Sequence, residues 1–168
     1  HVERMKKRGA PSPLAPAQDC GCSSATLHMF APSAKKAAPM EAAGPSESAL
    51  SHWPIQIRLI PPTAPFLKDG DLLVTADCVP GACAGFHSDF LEGRVLMLGC
   101  PKFDDRELYL QRFTDIFRAN DIKSVKVLRM EVPCCSSLLP IVTEAARRSG
   151  RDVPVEEVVI TRRGTVAP

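Results

Sequence analysis

A chain of 168 residues that is 45% hydrophobic, only 5% aromatic and formally +2 at neutral pH can bury one core built on Val, Leu and Ile, with little room for a second. So small a net charge, with no basic stripe interleaved with aromatics, argues against a nucleic-acid partner. There is no run of 18 apolar residues to span a membrane and no basic, apolar leader for secretion, so a reducing cytoplasm is the expected compartment.

The opening HVERMKKRG starts at His1 rather than Met and reads as the end of a charged helix or a linker, so a piece of a longer protein is expected. Residues 1–52 read as a tail, because PSPLAPA, APSAKKAAP and EAAGPSESALS offer no periodic apolar face. Within it, the stretch 19–30 carries Cys20, Cys22, His28 and large apolar residues, a patch suited to docking back on the body. The organised domain is expected over 53–168. IQIRLI (55–60) alternates and reads as a strand ended by Pro61 and Pro62. DLLVTAD (71–77) is a second strand, and RVLMLG (94–99), nearly all apolar, suits a third that is covered on both faces. SVKVLRM (124–130) and VEEVVI (155–160) complete the set. The segment 104–120 places Tyr109, Phe113, Ile116 and Phe117 at helical spacing. A second helix is expected over 136–150, stopped at Gly150 and either delayed or kinked by Pro140. This alternation predicts a three-layer α/β domain with a mostly parallel sheet of about five strands, preceded by a partly irregular tail.

The seven cysteines, at 20, 22, 78, 83, 100, 134 and 135, are an odd number, and most lie in turns rather than in apolar runs. That pattern favours ligands over redox-active thiols or inert packing. Strand 71–77 runs into Asp77-Cys78-Val79-Pro80, strand 94–99 into Cys100-Pro101-Lys102, and strand 124–130 into Glu131-Val132-Pro133-Cys134-Cys135. In a parallel sheet these exits share one edge at spacings of about 5 Å, and open α/β sheets bind ligands there. Cys78, Cys100, Cys134 and Cys135 are therefore expected to converge on one sulfur-rich metal site. Soft thiolates select zinc, copper(I) or iron–sulfur clusters. Lys102 and Arg129 are candidates to compensate the thiolate charge, and Asp77, Lys102, Asp104, Asp105 and Glu131 to assist catalysis. Asp104 and Asp105 are explained more cheaply as acids at a helix start, while Cys83 and His87 are further candidate ligands that read more readily as packing and as a local hydrogen-bonding group. Neither G-x-G-x-x-G, a Walker motif, G-x-S-x-G nor H-E-x-x-H is present, so neither nucleotide binding nor hydrolysis is supported.

The stretches PPTAPF (61–66), ADCVP (76–80), FHSDFLEG (86–93), GCPKFDD (99–105) and MEVPCC (130–135) together resemble the C-terminal domain of a prokaryotic family of 4Fe-4S ferredoxin-type iron–sulfur proteins. The resemblance spans about residues 53–160. It implies a two-cluster ferredoxin module upstream of His1, an external redox partner, and a 4Fe-4S cluster held by Cys78, Cys100, Cys134 and Cys135. It also implies Cys22 as a further cofactor-binding residue, although Ser23 and Ser24 stand where the family has Pro-Gly, and Ser136 where Gly follows the paired cysteines. The function so implied is an iron–sulfur redox domain for electron transfer or small-ligand reduction. The alternative is a zinc-stabilised interaction domain without redox activity, since four thiolates suit tetrahedral zinc. Thiol redox chemistry through Cys134 and Cys135 ranks below both, because adjacent cysteines form only a strained disulfide.

Overall fold

The structure, a computed structural model, describes residues 26–30 and 48–168. A short antiparallel pair, β1 (His28–Met29) with β2 (His52–Trp53), precedes four longer strands: β3 (Asp71–Ala76), β4 (Val95–Gly99), β5 (Ser124–Met130) and β6 (Val155–Ile160). These four form an all-parallel sheet in the order β4-β3-β5-β6. Every residue of β3 after Asp71 is buried, as a central parallel strand requires when both its faces are covered.

The two long helices follow from local chemistry. In α2 (Arg106–Ala119), Tyr109, Phe113, Ile116 and Phe117 are all fully buried, and Asp105 caps the start by accepting the N–H groups of Glu107 (2.8 Å) and Leu108 (3.3 Å). In α3 (Leu138–Ser149), Pro140 is the third residue, where no intrahelical acceptor awaits an N–H, so the helix runs through it. Gly150, at φ +75°, closes that helix in the left-handed conformation. Helices α2 and α3 pack together on one face of the sheet. The β3-to-β4 connection, with α1 (Val79–Ala82) and the helical turn Phe86–Leu91, runs the other way along the sheet. A right-handed crossover therefore carries it over the opposite face, completing three layers. None of the helices among the described residues is long and apolar enough to cross a membrane.

The sheet has four strands rather than five, because 55–60 makes a single parallel bridge, Gln56 to Leu98, and then turns. Leu98 N–H donates to Ile55 O (2.7 Å) and Ile57 N–H to Leu98 O (2.9 Å), before Ile60 N–H closes back on Gln56 O (3.2 Å). The apolar residues that mimic a strand are there to bury Ile57 and Ile60 from within a turn, and Pro61 and Pro62 have no N–H to extend the ladder.

The same segment seals the outer edge of β4. The Leu96 N–H of β4 donates to His52 Nε2 at 2.8 Å, while His52 Nδ1 lies 3.2 Å from Pro54 O and so carries the proton. The ring is fully buried and stacked on Phe66, with centroids 4.3 Å apart. Burial lowers the His52 pKa from 6.5 to about 4, against the opposing pull of the Pro54 carbonyl. The unfolded chain therefore takes up this proton before the folded chain does as pH falls. Stability from neutral His52 is complete above pH 6.5 and declines toward pH 4, by about 3 kcal/mol at most. Urea titrations from pH 7.5 to 4 should show this loss in the native chain and a smaller one in His52→Gln, which starts lower but has no ring to protonate.

Candidate functional site

Register decides which side chains meet at the carboxyl edge of the sheet. Ala76 is level with Gly99, and Thr75 with Leu128, so the exits of β4, β3 and β5 lie side by side. From β3 the chain moves first to one side, into β4, and then crosses to the other side, into β5. The gap between the exits of β3 and β5 is thus the switch point, which the two connections leave in opposite directions. Cys78 stands there at the start of α1, and Cys134 and Cys135 in the tight turn Pro133–Cys135 that leads to α3.

These three thiols are in unlike surroundings. Cys78 and Cys134 are exposed, whereas Cys135 is turned into the core with 3% of its surface accessible. Burial first, and then the neighbouring Cys134 and Cys78 thiols, push the Cys135 thiol up to about 11, against the opposing pull of the Met130 backbone. It is a protonated, space-filling thiol at neutral pH.

Cys100 belongs to a different cluster. It is half-buried beyond β4, two strand spacings, or about 10 Å, from the exit of β5. Beside it, Asp104 Oδ2 accepts the buried Tyr109 hydroxyl and the Cys100 N–H (3.4 Å), and Oδ1 accepts from Arg58 (3.2 Å). Burial alone would raise the Asp104 pKa, but the bonds from Tyr109, Cys100 and Arg58 outweigh it and hold the carboxyl below its usual range. Burial and the Asp104 carboxylate together push the Tyr109 phenol well above its ordinary value. Gly99 makes this packing possible, because a Cβ there would collide with the Tyr109 hydroxyl and lie 2.8 Å from Ile57 Cδ1.

The other residues singled out by sequence have structural partners. Asp105 caps α2, Gln56 Nε2 reaches Asp77 at 3.4 Å, and Lys102 lies over the Phe103 ring at 5.8 Å. Arg129 is paired with Glu157 at 2.6 Å rather than with a thiolate. Glu131 Oε1 accepts both the N–H and the Nε of Arg162 at 2.9 Å, and the backbone bond, followed by the side-chain bond, lowers its pKa. His87 Nδ1 accepts the Ala49 N–H (3.2 Å), and Cys83 is packed in the core. Cys20 and Cys22 lie outside the described residues.

The expected metal centre is not formed: among the described residues, no group of three or more His, Cys, Asp and Glu side chains is placed to hold a metal ion. A zinc or iron site needs sulfurs that share one ion at about 2.3 Å. Here β3 separates Cys100 from the paired cysteines, and Cys135 is committed to the core. This overturns both the 4Fe-4S cluster and the structural zinc as cofactors.

A feature that sequence reasoning passed over lies at the same edge. A cavity of about 450 Å³ is lined by Glu131, Thr161, Arg162, Arg163 and Thr165, where β5 and β6 end. Its signal was Thr-Arg-Arg-Gly-Thr directly after a predicted strand, hidden because each residue type is ordinary in a surface turn. A smaller cleft, about 310 Å³, lies at the opposite, amino edge and includes Asp69, Asn120, Lys123 and Arg151.

A parallel sheet of this order, with helices on both faces and strand exits gathered at a switch point, defines a Rossmann-type α/β domain. The family model described as a Rossmann-like domain matches residues 64–168, and the chain belongs to that family. An uncharacterized protein of Archaeoglobus fulgidus is 32% identical over 119 residues, covering 71% of this chain and 84% of that protein. No solved structure matches the chain. The family match corrects the resemblance to ferredoxin-type iron–sulfur proteins, and the absence of a metal-holding group among the described residues corrects the electron-transfer and zinc-module functions drawn from the cysteines.

The Gly99 contact can be tested directly. Gly99→Ala is expected to lower stability by about 1–3 kcal/mol in urea denaturation. Combining it with Tyr109→Phe, which removes the colliding oxygen, should cost less than the sum of the single changes.

Proposed function

We propose that this domain binds a small ligand in the crevice between the β3–α1 and β5–α3 connections, with the Cys78 and Cys134 side chains against it. The observation that carries this reading is that two exposed thiols flank the switch point of the sheet. Ligands of open α/β sheets lie at this place because the diverging connections leave it uncovered. Cys135 supports the turn from below as a buried thiol, and Pro80 and Pro133 restrict the backbone on either side.

The chemistry of the crevice argues against a dinucleotide. Its first turn is Asp77-Cys78-Val79-Pro80 in place of a glycine-rich loop, so a carboxylate and a residue without an N–H stand where a pyrophosphate would need donors. Thiols instead suit a ligand that presents a polarisable apolar group or an electrophilic carbon.

Alkylation by iodoacetamide, followed at each cysteine by mass spectrometry, tests the reading. Cys78 and Cys134 should react in the folded chain, while Cys83 and Cys135 should wait for denaturant. A compound from a small-molecule panel that raises the melting temperature should slow reaction at Cys78 and Cys134 by roughly tenfold. Stabilising compounds that leave both rates unchanged, or that bind only at the amino-edge cleft, would sink the proposal.

A further inference from the structure

The cavity beyond β6 has a chemistry of its own. After Ile160 the chain turns back on itself: Thr161 N–H donates to Thr165 O (2.8 Å), Gly164 N–H to Thr161 O (2.9 Å), and Ala167 N–H to Val159 O (2.8 Å). Gly164, at φ +83°, permits this turn, and it is pressed so closely on the end of α1 that a Cβ would collide with Ala82 O. The turn is thereby pinned over the carboxyl edge, beside the connection that carries Cys78.

Charge inside the cavity is unbalanced. It is lined by two guanidinium groups and one carboxylate, and that carboxylate is consumed: Glu131 Oε1 holds both the backbone N–H and the Nε of Arg162. Arg163 makes no ion pair or side-chain hydrogen bond among the described residues. The two threonine hydroxyls lie 2.9 Å apart and bond to each other. One proton serves that bond, so the second O–H remains available as a donor. An uncommitted guanidinium fork and a free hydroxyl donor, on a turn held at both ends, match an oxyanion.

We infer that the Thr161–Thr165 turn is an oxyanion site, in which Arg163 and the threonine pair hold a phosphate or carboxylate group, and Glu131 fixes Arg162 as part of the wall. This rests on the proposed crevice only in naming the role: the turn would hold the anionic end of a ligand whose other end meets the thiols. The site itself requires neither cysteine.

The test is an NMR titration of the isotopically labelled full chain with inorganic phosphate and, separately, with acetate, at constant ionic strength set by chloride. Saturable shifts at the Thr161, Gly164 and Thr165 amides are expected, and the anion that saturates at lower concentration identifies the preferred group. Arg163→Gln should weaken binding by about tenfold, while Arg163→Lys, which keeps the charge but loses the fork, should fall between. Glu131→Gln should strengthen binding, because it removes the carboxylate opposing the anion. Shifts spread over unrelated basic residues, or an Arg163→Gln chain that titrates like the native one, would overturn the inference. Thiol alkylation is not read in this experiment, so the oxyanion site and the thiol crevice can fail independently.

Discussion

Parallel pairing of β3 with a neighbour on each side is the constraint on which the rest of this structure depends. A parallel neighbour cannot be reached by a tight hairpin, so every strand must be followed by a crossover of at least a dozen residues. With β4 on one side of β3 and β5 on the other, those crossovers diverge, one over one face and two over the opposite face. Both faces of β3 are then buried, and all exits are delivered to one edge. The core and the candidate site are consequences of the same strand order.

That arrangement leaves β4 with an unpaired flank, and the chain closes it with little regular structure. Two backbone bonds to 55–57 and one from Leu96 to the His52 ring take up the free groups of the edge strand. Using a neutral imidazole as the last acceptor brings a titratable group into the core, where it stays uncharged because burial outweighs its carbonyl partner. At the other flank, β6 is left half-exposed and is tied to β5 by the Lys126–Glu156 (2.8 Å) and Arg129–Glu157 (2.6 Å) pairs. Charged rows of this kind discourage further strands from pairing.

At the carboxyl edge, neighbours in sequence differ in chemistry because they differ in depth. Cys134 is exposed, and Cys135, one residue later in a tight turn, is buried with its proton retained. Glu131 and Arg162, which come from different strand exits, neutralise one another, and Arg163 lines the same cavity with no ion pair among the described residues. The thiols lie on the connections after β3 and β5, and the cationic turn follows β6, so both stand at the carboxyl edge of one sheet.

By itself the sequence determined what is local. Apolar runs marked the four parallel strands and helical spacing both long helices, acids at the start of one helix and the Gly150 stop of the other were legible, and the cysteine-bearing turns were placed at strand exits. These signals depend on backbone periodicity and turn chemistry, which a short stretch of residues carries within itself. Residues 55–60 misled for the same reason, since alternation alone does not distinguish a strand from a turn that buries Ile57 and Ile60. Only the tertiary structure decided that β3 stands between β4 and β5, that Cys100 is therefore remote from Cys134, that Cys135 faces inward, and that the turn after β6 folds against Ala82. Whether dispersed thiols form a metal centre depends on distances across the sheet, and those are set by strand order and side-chain depth, which the spacing of cysteines along the chain does not encode.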